Sequence, residues 1–478
     1  MVLIAPGKSG RAASTIIACL ACLAGTICVS AADQPQWGER YTRNMVSRET
    51  GLPDSFDPET GRNVVWTQKL GTNAYATPII SNGRIYVGTN NEGPYEPRYE
   101  EDAAVLYCLS EADGSLLWRL SVPKLTGNRS YQDWPNIGFV SPVTVEGDFV
   151  YLVNNRNQVM CLDVYGLSNG NQGPFKDEGS HMSPHPDSLL QVENDDADIL
   201  WIYDIEAELN VQSHDEAFCS ILIHGPNLYV CTSSGVDAKH GYVVAPEAPS
   251  LIVLDKASGR LVAHDVEPIG PNIVHSTWSS PALLQEKNSE TIVFGAGNGV
   301  CYGFEPVPFE RDLDAPARAL KKLWEFDCDP TAPKENIHQY RGNRRMSASN
   351  IYGMPVVYQN RVYITYGGDF WHGKNMAWVK CFEPKGSGDI TGKAELWSYP
   401  LEEHCMGTPA VYQDLVFIGD TGGFIHCIDA LTGEPQWKHD TKGVIWGSVL
   451  VADNKVYVVN RRGKAFVFSA SREKTLIS

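Results

Sequence analysis

A repeated hairpin governs what this chain can fold into. Its clearest copy runs from Thr408 to Trp437, TPAVYQDLVFIGDTGGFIHCIDALTGEPQW. It reads as a strand, a tight turn, a second strand, a Gly-rich connection, a third strand, an Asp-Ala-x-Thr-Gly turn and a Trp on a fourth strand. Similar cores start at Thr77, Ser141, Ser220, Ser280, Met354 and Ser448. The second residue of each core serves as an anchor: Pro78, Pro142, Ile221, Pro281, Pro355, Pro409 and Val449. Successive anchors lie 64, 79, 60, 74, 54 and 40 residues apart. The shortest spacing is what one four-stranded propeller blade requires, and the excess elsewhere is loop. The expected fold is all-β, a seven-bladed β-propeller of four-stranded blades. Eight blades, the alternative, would need an eighth hairpin core, and the sequence lacks one.

The third strands align as LYCLS, VMCLD, LIVLD, CYGFE, VKCFE, IHCID and AFVFS. Cys108, Cys161, Cys381 and Cys427 therefore share one repeat position, filled by Val253, Gly303 and Val467 in the other copies. A position that accepts Cys, Val or Gly is a small apolar slot, so these thiols are expected to be buried and reduced. The fourth strands carry Trp118, Trp201, Trp324, Trp397 and Trp437 as structural docking residues, with Ala263 in the third copy. Trp66 has no hairpin ahead of it, and the seventh copy has no Trp of its own. The strand Val64-Val65-Trp66 is therefore expected to close the last blade and remove an exposed sheet edge.

Ahead of the repeats, Lys8 and Arg11 precede an apolar run from Ala12 to Val29 and the small residues Ser30-Ala31-Ala32. That is the pattern of a secretory signal. The expected organisation is a signal peptide over 1–32, an N-terminal segment over 33–62, the propeller over 63–470 and a tail over 471–478. The location is then exported, periplasmic or otherwise extracytoplasmic. No later segment reaches the length of apolar run a bilayer span needs, so no span is expected after signal removal. Three of the 12 cysteines, Cys19, Cys22 and Cys28, lie in the signal. Acidic residues outnumber basic ones, 57 to 39, with no basic block. Such a chain is not built to hold nucleic acid phosphates.

Asp429-Ala430-Leu431-Thr432-Gly433 with Trp437 resembles the tryptophan-docking repeat of quinoprotein-type propellers. Asp113-Gly114 with Trp118, and Asp255-Lys256-Ala257-Ser258-Gly259, are weaker copies. The segment from Trp37-Gly38 to Trp66 is also similar to that of exported proteins of this group. The family includes the pyrroloquinoline-quinone (PQQ) alcohol dehydrogenases and a BamB-type assembly scaffold. The resemblance implies the propeller fold and leaves the function divided. The quinone-binding dehydrogenases carry adjacent cysteines, and no Cys-Cys pair occurs here. The only Cys-x-x-Cys is Cys19 to Cys22, followed by Leu23, so no c-type haem site exists. No cofactor is firmly implied, and PQQ with Ca²⁺ stays as the family's possibility.

Propeller connectivity puts the short first-to-second turns (Asn82-Gly83, Glu146-Gly147, Asp453-Asn454) on one face. The long insertions at 90–104, 119–138, 205–217, 233–249, 264–277, 327–351 and 367–377 fall on the other, which is the expected functional face. Two insertions, 165–198 and 306–321, belong to the turn face. The first carries the acidic run Glu193 to Asp198 and reads as a mobile, solvated excursion. The residue three before each anchor (Tyr75, Phe139, Phe218, Trp278, Tyr352, Met406, Trp446) is aromatic in six copies. Its regular recurrence points to packing between blades, with a stack on a flat ligand as the other reading. The asymmetric residues of the loop face are His214, His240, His275, His338, His372 and His404, the acids Asp215, Asp237 and Asp369, the cluster Arg341, Arg344 and Arg345, and Trp134 and Trp371. Of these, Trp134, His214, His275, Arg341, Trp371, His372 and His404, together with Trp278, are the ligand-binding candidates. No metal-ligand spacing, Walker loop or nucleophile elbow is present, so no metal site is expected and no catalytic residue is assigned. The expected function is a binding or assembly scaffold taking a protein, peptide or small molecule on the loop face. A quinoprotein-like oxidoreductase with a separate electron acceptor is the alternative.

Overall fold

The computed structural model describes residues 2–4 (backbone only), 33–92, 96–185, 187 and 189–478. The repeats fold into seven sheets, numbered 1 to 7 in chain order, whose first strands are Ile79–Ser81, Thr144–Glu146, Leu222–His224, Ala282–Gln285, Val356–Tyr358, Ala410–Tyr412 and Leu450–Ala452. Within each sheet the strands follow chain order and the hairpin neighbours are antiparallel. Helices are few and short, and none among the described residues is long and apolar enough to cross a membrane.

Cross-strand register explains the repeat position shared by cysteine. Cys108 faces Trp118, Cys161 faces Trp201, Cys381 faces Trp397 and Cys427 faces Trp437. A small side chain is needed beside a buried indole. In sheet 4 the slot has shrunk to Gly303, where an added Cβ would lie 2.1 Å from Trp324. All nine cysteines from Cys108 to Cys427 are buried and free. Burial pushes the thiols of Cys108, Cys381 and Cys427 up to about 12, where they are inert.

The Asp-x-x-x-Gly turn receives the Trp of the preceding sheet. Trp397 Nε1 donates to Ala430 O (3.0 Å), and Trp437 Nε1 to Ser471 O (2.9 Å). Asp429 Oδ1 accepts the Leu431 and Thr432 N–H groups, and Gly433 follows at φ 77°. A Cβ at Gly433 would meet the Trp397 ring at 2.8 Å, so the turn needs glycine twice over. Trp118 and Trp201 make the same bond, to Val164 O and Lys256 O. Trp324 packs edge-on against Phe382. Hydroxyls just before the anchors tie neighbouring sheets: Ser280 Oγ accepts from Ser220 N, Thr408 Oγ1 from Met354 N, and Ser448 Oγ from Thr408 N.

Three features depart from expectation. Sheet 7 has three strands, and Val64–Thr67 is not bonded to it. The C-terminal tail takes that edge instead, with Ser469 N donating to Thr475 O and Ile477 N to Val467 O. A tail that returns within a few residues closes a far shorter loop than a strand from the other end of the chain. Val64–Thr67 pairs with Val2–Ile4; the remainder of the expected signal peptide lies outside the described residues. Trp66 nevertheless docks on sheet 1, donating to Glu111 O at 2.8 Å.

Second, the acidic run is only partly solvated: Glu193 and Asn194 are exposed, but its far end is anchored. Asp196 and Asp198 are fully buried, Arg98 holds Asp196 (2.7 Å), and Arg119 holds Asp195 (3.0 Å) and Glu193 (3.1 Å). Third, this connection lies along the outer edge of the preceding sheet, with Arg119 bridging Asp196 in parallel. Arg318–Ala319 and Gly388–Asp389 cover the outer strands of sheets 3 and 4 in the same way. The third-to-fourth insertions therefore protect sheet edges.

The N-terminal segment closes the turn-face end of the central channel. Residues 34–46 hydrogen-bond to the first strands of six sheets and, through Arg43, to Ser220 just ahead of the first strand of sheet 3. Ile80 N donates to Gln34 O, Val145 N to Pro35 O, Leu283 N to Tyr41 O, Val357 N to Thr42 O and Val451 N to Met45 O. Asn44 exchanges two 2.8 Å bonds with the main chain of Val411. Arg43, with no exposed surface, donates to Pro281 O, Ser220 O, Ser220 Oγ and Trp37 O. No carboxylate pairs with it among the described residues. Burial pushes its guanidinium down to about 10.

Candidate functional site

Above that stopper the channel widens into a cavity of about 750 Å³ that opens among the long loops. Tyr75, Phe218, Trp278, Tyr352, Met406 and Trp446, the recurrent residues ahead of the anchors, line it. Phe139 is buried behind the wall, and its neighbour Val140 takes its place. The ring that sequence assigned mainly to packing between blades therefore forms a cavity wall. Trp37, from the stopper, adds another aromatic face and meets Phe218 edge-on at 5.5 Å.

One side of this cavity is titratable. His214 comes from the sheet 2 to 3 crossing, His240 from the long hairpin loop of sheet 3, His275 from the sheet 3 to 4 crossing, and His372 from the hairpin loop of sheet 5. Their rings converge: His214 and His240 lie 4.1 Å apart, and His240 and His372 4.2 Å, centre to centre. His275 Nδ1 lies 3.0 Å from Asp369 Oδ2, and its Nε2 3.3 Å from Asp215 Oδ2. His214 Nδ1 lies 2.9 Å from Val236 O, leaving Nε2 facing Asp215 Oδ1 at 3.5 Å. Asp369 also accepts from the Tyr352 hydroxyl and from the Trp371 and His372 N–H groups.

The charges follow from this packing. Burial pulls His275 down, but its two carboxylate partners outweigh it and push the imidazolium up to about 9. Burial likewise opposes the Asp369 charge, and His275 and Tyr352 still hold the carboxyl at about 2. Burial and the neighbouring His214, His275 and His372 push His240 down to about 3. Beside them Glu216 lines the cavity, its carboxyl pushed well above the usual range by burial against the opposing pull of Lys124 (3.3 Å). Trp37 Nε1, Trp446 Nε1 and Glu216 Oε2 are buried without a hydrogen-bond partner. Such orphaned groups mark places a ligand can satisfy.

Among the sequence candidates, Trp134, His275, Trp278, Trp371 and His372 line the cavity, and His214 stands directly behind it. Arg341 and His404 do not line it. Arg341 is exposed and donates to Lys239 O; His404 is buried against Phe370. Arg344 is a brace, donating to Phe370 O, Trp371 O and Gly373 O of the loop that carries His372. Sequence reasoning left Trp37, Asp215, Glu216, His240 and Tyr352 out of the ligand-binding candidates, although it had placed Asp215 and His240 on the loop face. Tyr352 had aromatic recurrence as a signal and Glu216 its adjacency to Asp215, and Trp37 had neither.

A family model described as outer membrane protein assembly factor BamB matches residues 50–130 and 375–475. The BamB of Shewanella oneidensis is 37% identical over 84 residues, 17% of this chain, and the match spans 21% of that relative's length. Among solved structures, BamB from Moraxella catarrhalis aligns over 84% of both chains at 12% identity and a TM-score of 0.48. The quinohemoprotein alcohol dehydrogenase of Comamonas testosteroni aligns over 91% of this chain and 76% of its own, at 11% identity and a TM-score of 0.45. The stretches matched by the family model fall in sheets 1, 5, 6 and 7, and over them the chain is similar to PQQ-repeat propellers.

Proposed function

We propose that this chain is an exported seven-bladed propeller whose loop-face cavity binds a planar, largely apolar small molecule and engages its polar end with the His/Asp cluster. The observation that carries this reading is the convergence of four histidines, from four separate connections, on two carboxylates beside an aromatic cavity. A scaffold face needs no buried titratable cluster; a ligand or reaction site does. Within the binding reading expected from sequence, this favours a small molecule over a protein or peptide partner. The ring of seven is supported by the stopper, which hydrogen-bonds to six first strands and to Ser220 just ahead of the remaining one. Export is supported by the signal pattern ahead of Asp33.

The family's quinone does not fit this cavity. Ca²⁺ takes about 6–8 oxygen ligands, and the lining offers two carboxylates, Asp215 and Glu216, among imidazoles and aromatic rings. PQQ bears three carboxylates, and the one lining guanidinium, Arg461, lies over Trp446 at 4.0 Å.

The test uses 8-anilinonaphthalene-1-sulfonate, a planar apolar probe with one anionic end. It should bind saturably, one molecule per chain, and quench tryptophan fluorescence. Trp278→Ala and Trp446→Ala should weaken binding, while Phe149→Ala, on an exposed strand start, should not. Absence of saturable binding, or equal binding by both Trp variants, would overturn the reading.

The scaffold reading has one specific observation in its favour. Among the described residues no strand covers the outer edges of Glu395–Pro400 and Pro435–Asp440, which fall within the second family match. An extended peptide could add there as a further strand.

A further inference from the structure

We propose that His214, His240 and His275, with Asp215, form a binding site for a divalent first-row transition metal, Zn²⁺ in the first instance. The proposal rests on the cavity reading above and gives its polar end a chemistry. Ligand atoms of the three histidines lie within 4.8 Å of one another. His240 Nε2 stands 3.3 Å from His275 Nε2, and Asp215 Oδ2 stands 3.3 Å from the same nitrogen. With metal–nitrogen bonds of about 2.0–2.1 Å, the edge of a tetrahedron is about 3.3–3.4 Å. Two edges of the site are thus already at coordination length, and His214 Nε2 lies 3.5 Å from Asp215 Oδ1, the other oxygen of that carboxylate, so a small turn of the carboxylate completes the set.

The outer contacts are those a metal site requires. A ligating imidazole donates its other N–H to a carboxylate or carbonyl, which fixes the tautomer and aims the free nitrogen. His275 does this through Nδ1 and Asp369, and His214 through Nδ1 and Val236 O. Asp369 is itself fixed by Tyr352 and two backbone N–H groups, so the support is two layers deep. Three imidazoles and one carboxylate suit Zn²⁺, Cu²⁺, Ni²⁺ or Fe²⁺, not the oxygen-seeking Ca²⁺ and Mg²⁺. His240 and Asp215 line the cavity, so a bound ion would face its contents.

The test is metal titration of the full purified chain after EDTA treatment. One equivalent of Co²⁺ should bind with the visible absorption of a tetrahedral site, and Zn²⁺ should displace it. His240→Ala, at a half-buried position, should abolish stoichiometric binding; His338→Ala, outside the trio, should leave it intact. Asp369→Asn should weaken binding roughly 10–100-fold by releasing the His275 ring. Failure to bind one equivalent, or unchanged binding by His240→Ala, overturns the metal site. If the chain still binds the naphthalene probe with its tryptophan dependence, the cavity reading stands without the metal; if both fail, both fall.

Discussion

The two ends of the channel use polar groups in opposite ways. At the turn face, residues 34–46 meet seven sheets almost wholly through main-chain groups, and every donor of the buried Arg43 guanidinium that is described points at a carbonyl or hydroxyl. At the loop face, polar side chains bond mainly to one another, and Trp37 Nε1, Trp446 Nε1 and Glu216 Oε2 are left without partners. The first arrangement maximises satisfaction and specifies architecture. The second leaves capacity unused in a place of low dielectric, where an unpaired group is costly unless a ligand meets it.

Stability measurements can break this contrast. The largest effect is expected for Arg43→Leu, which strands the carbonyls of Pro281, Ser220 and Trp37; at about 1–3 kcal/mol for each orphaned acceptor, the loss should be about 3–9 kcal/mol. A urea midpoint close to wild type would mean that the stopper is dispensable. Asn44→Ala should cost about 2 kcal/mol, since both of its bonds to Val411 are buried. At the other end, Trp446→Ala should lower stability by less than Arg43→Leu does, because its half-buried ring lines the cavity, yet it should weaken the naphthalene probe. Equal stability losses at Trp446 and Arg43 would erase the distinction between the two ends. The smallest change is expected for Cys161→Ala, about 1 kcal/mol, because the slot beside Trp201 asks only for a small side chain and Gly303 fills its equivalent beside Trp324 in sheet 4. Differential scanning calorimetry resolves the two smaller shifts.

The sheets were legible because each repeat carries its own anchor, turn and Trp, and short-range chemistry decides them. The aromatic wall was legible as a pattern and misjudged in role, since periodicity does not tell a packed ring from a lining one. The cluster was hidden. His214, His240, His275 and His372 stand in separate loops with no common spacing, and only the curvature of the array brings them together. Edge closure was misjudged because two segments could occupy the same strand position, and the nearer one along the chain did so at Thr475–Ser478.

The stopper also has a consequence in time. Residues 34–46 are synthesised hundreds of residues ahead of partners that include Val411 and Val451. Contacts at such separation form slowly, because chain closure must precede any gain from them. Arg43 therefore stays hydrated until nearly the whole chain is available, and the hub locks in a late, concerted step. Once locked, opening any one sheet disturbs hydrogen bonds shared through one strand of chain, so departure from the native state should be slow as well. Persistence against proteases would then depend on the height of that barrier more than on the depth of the well.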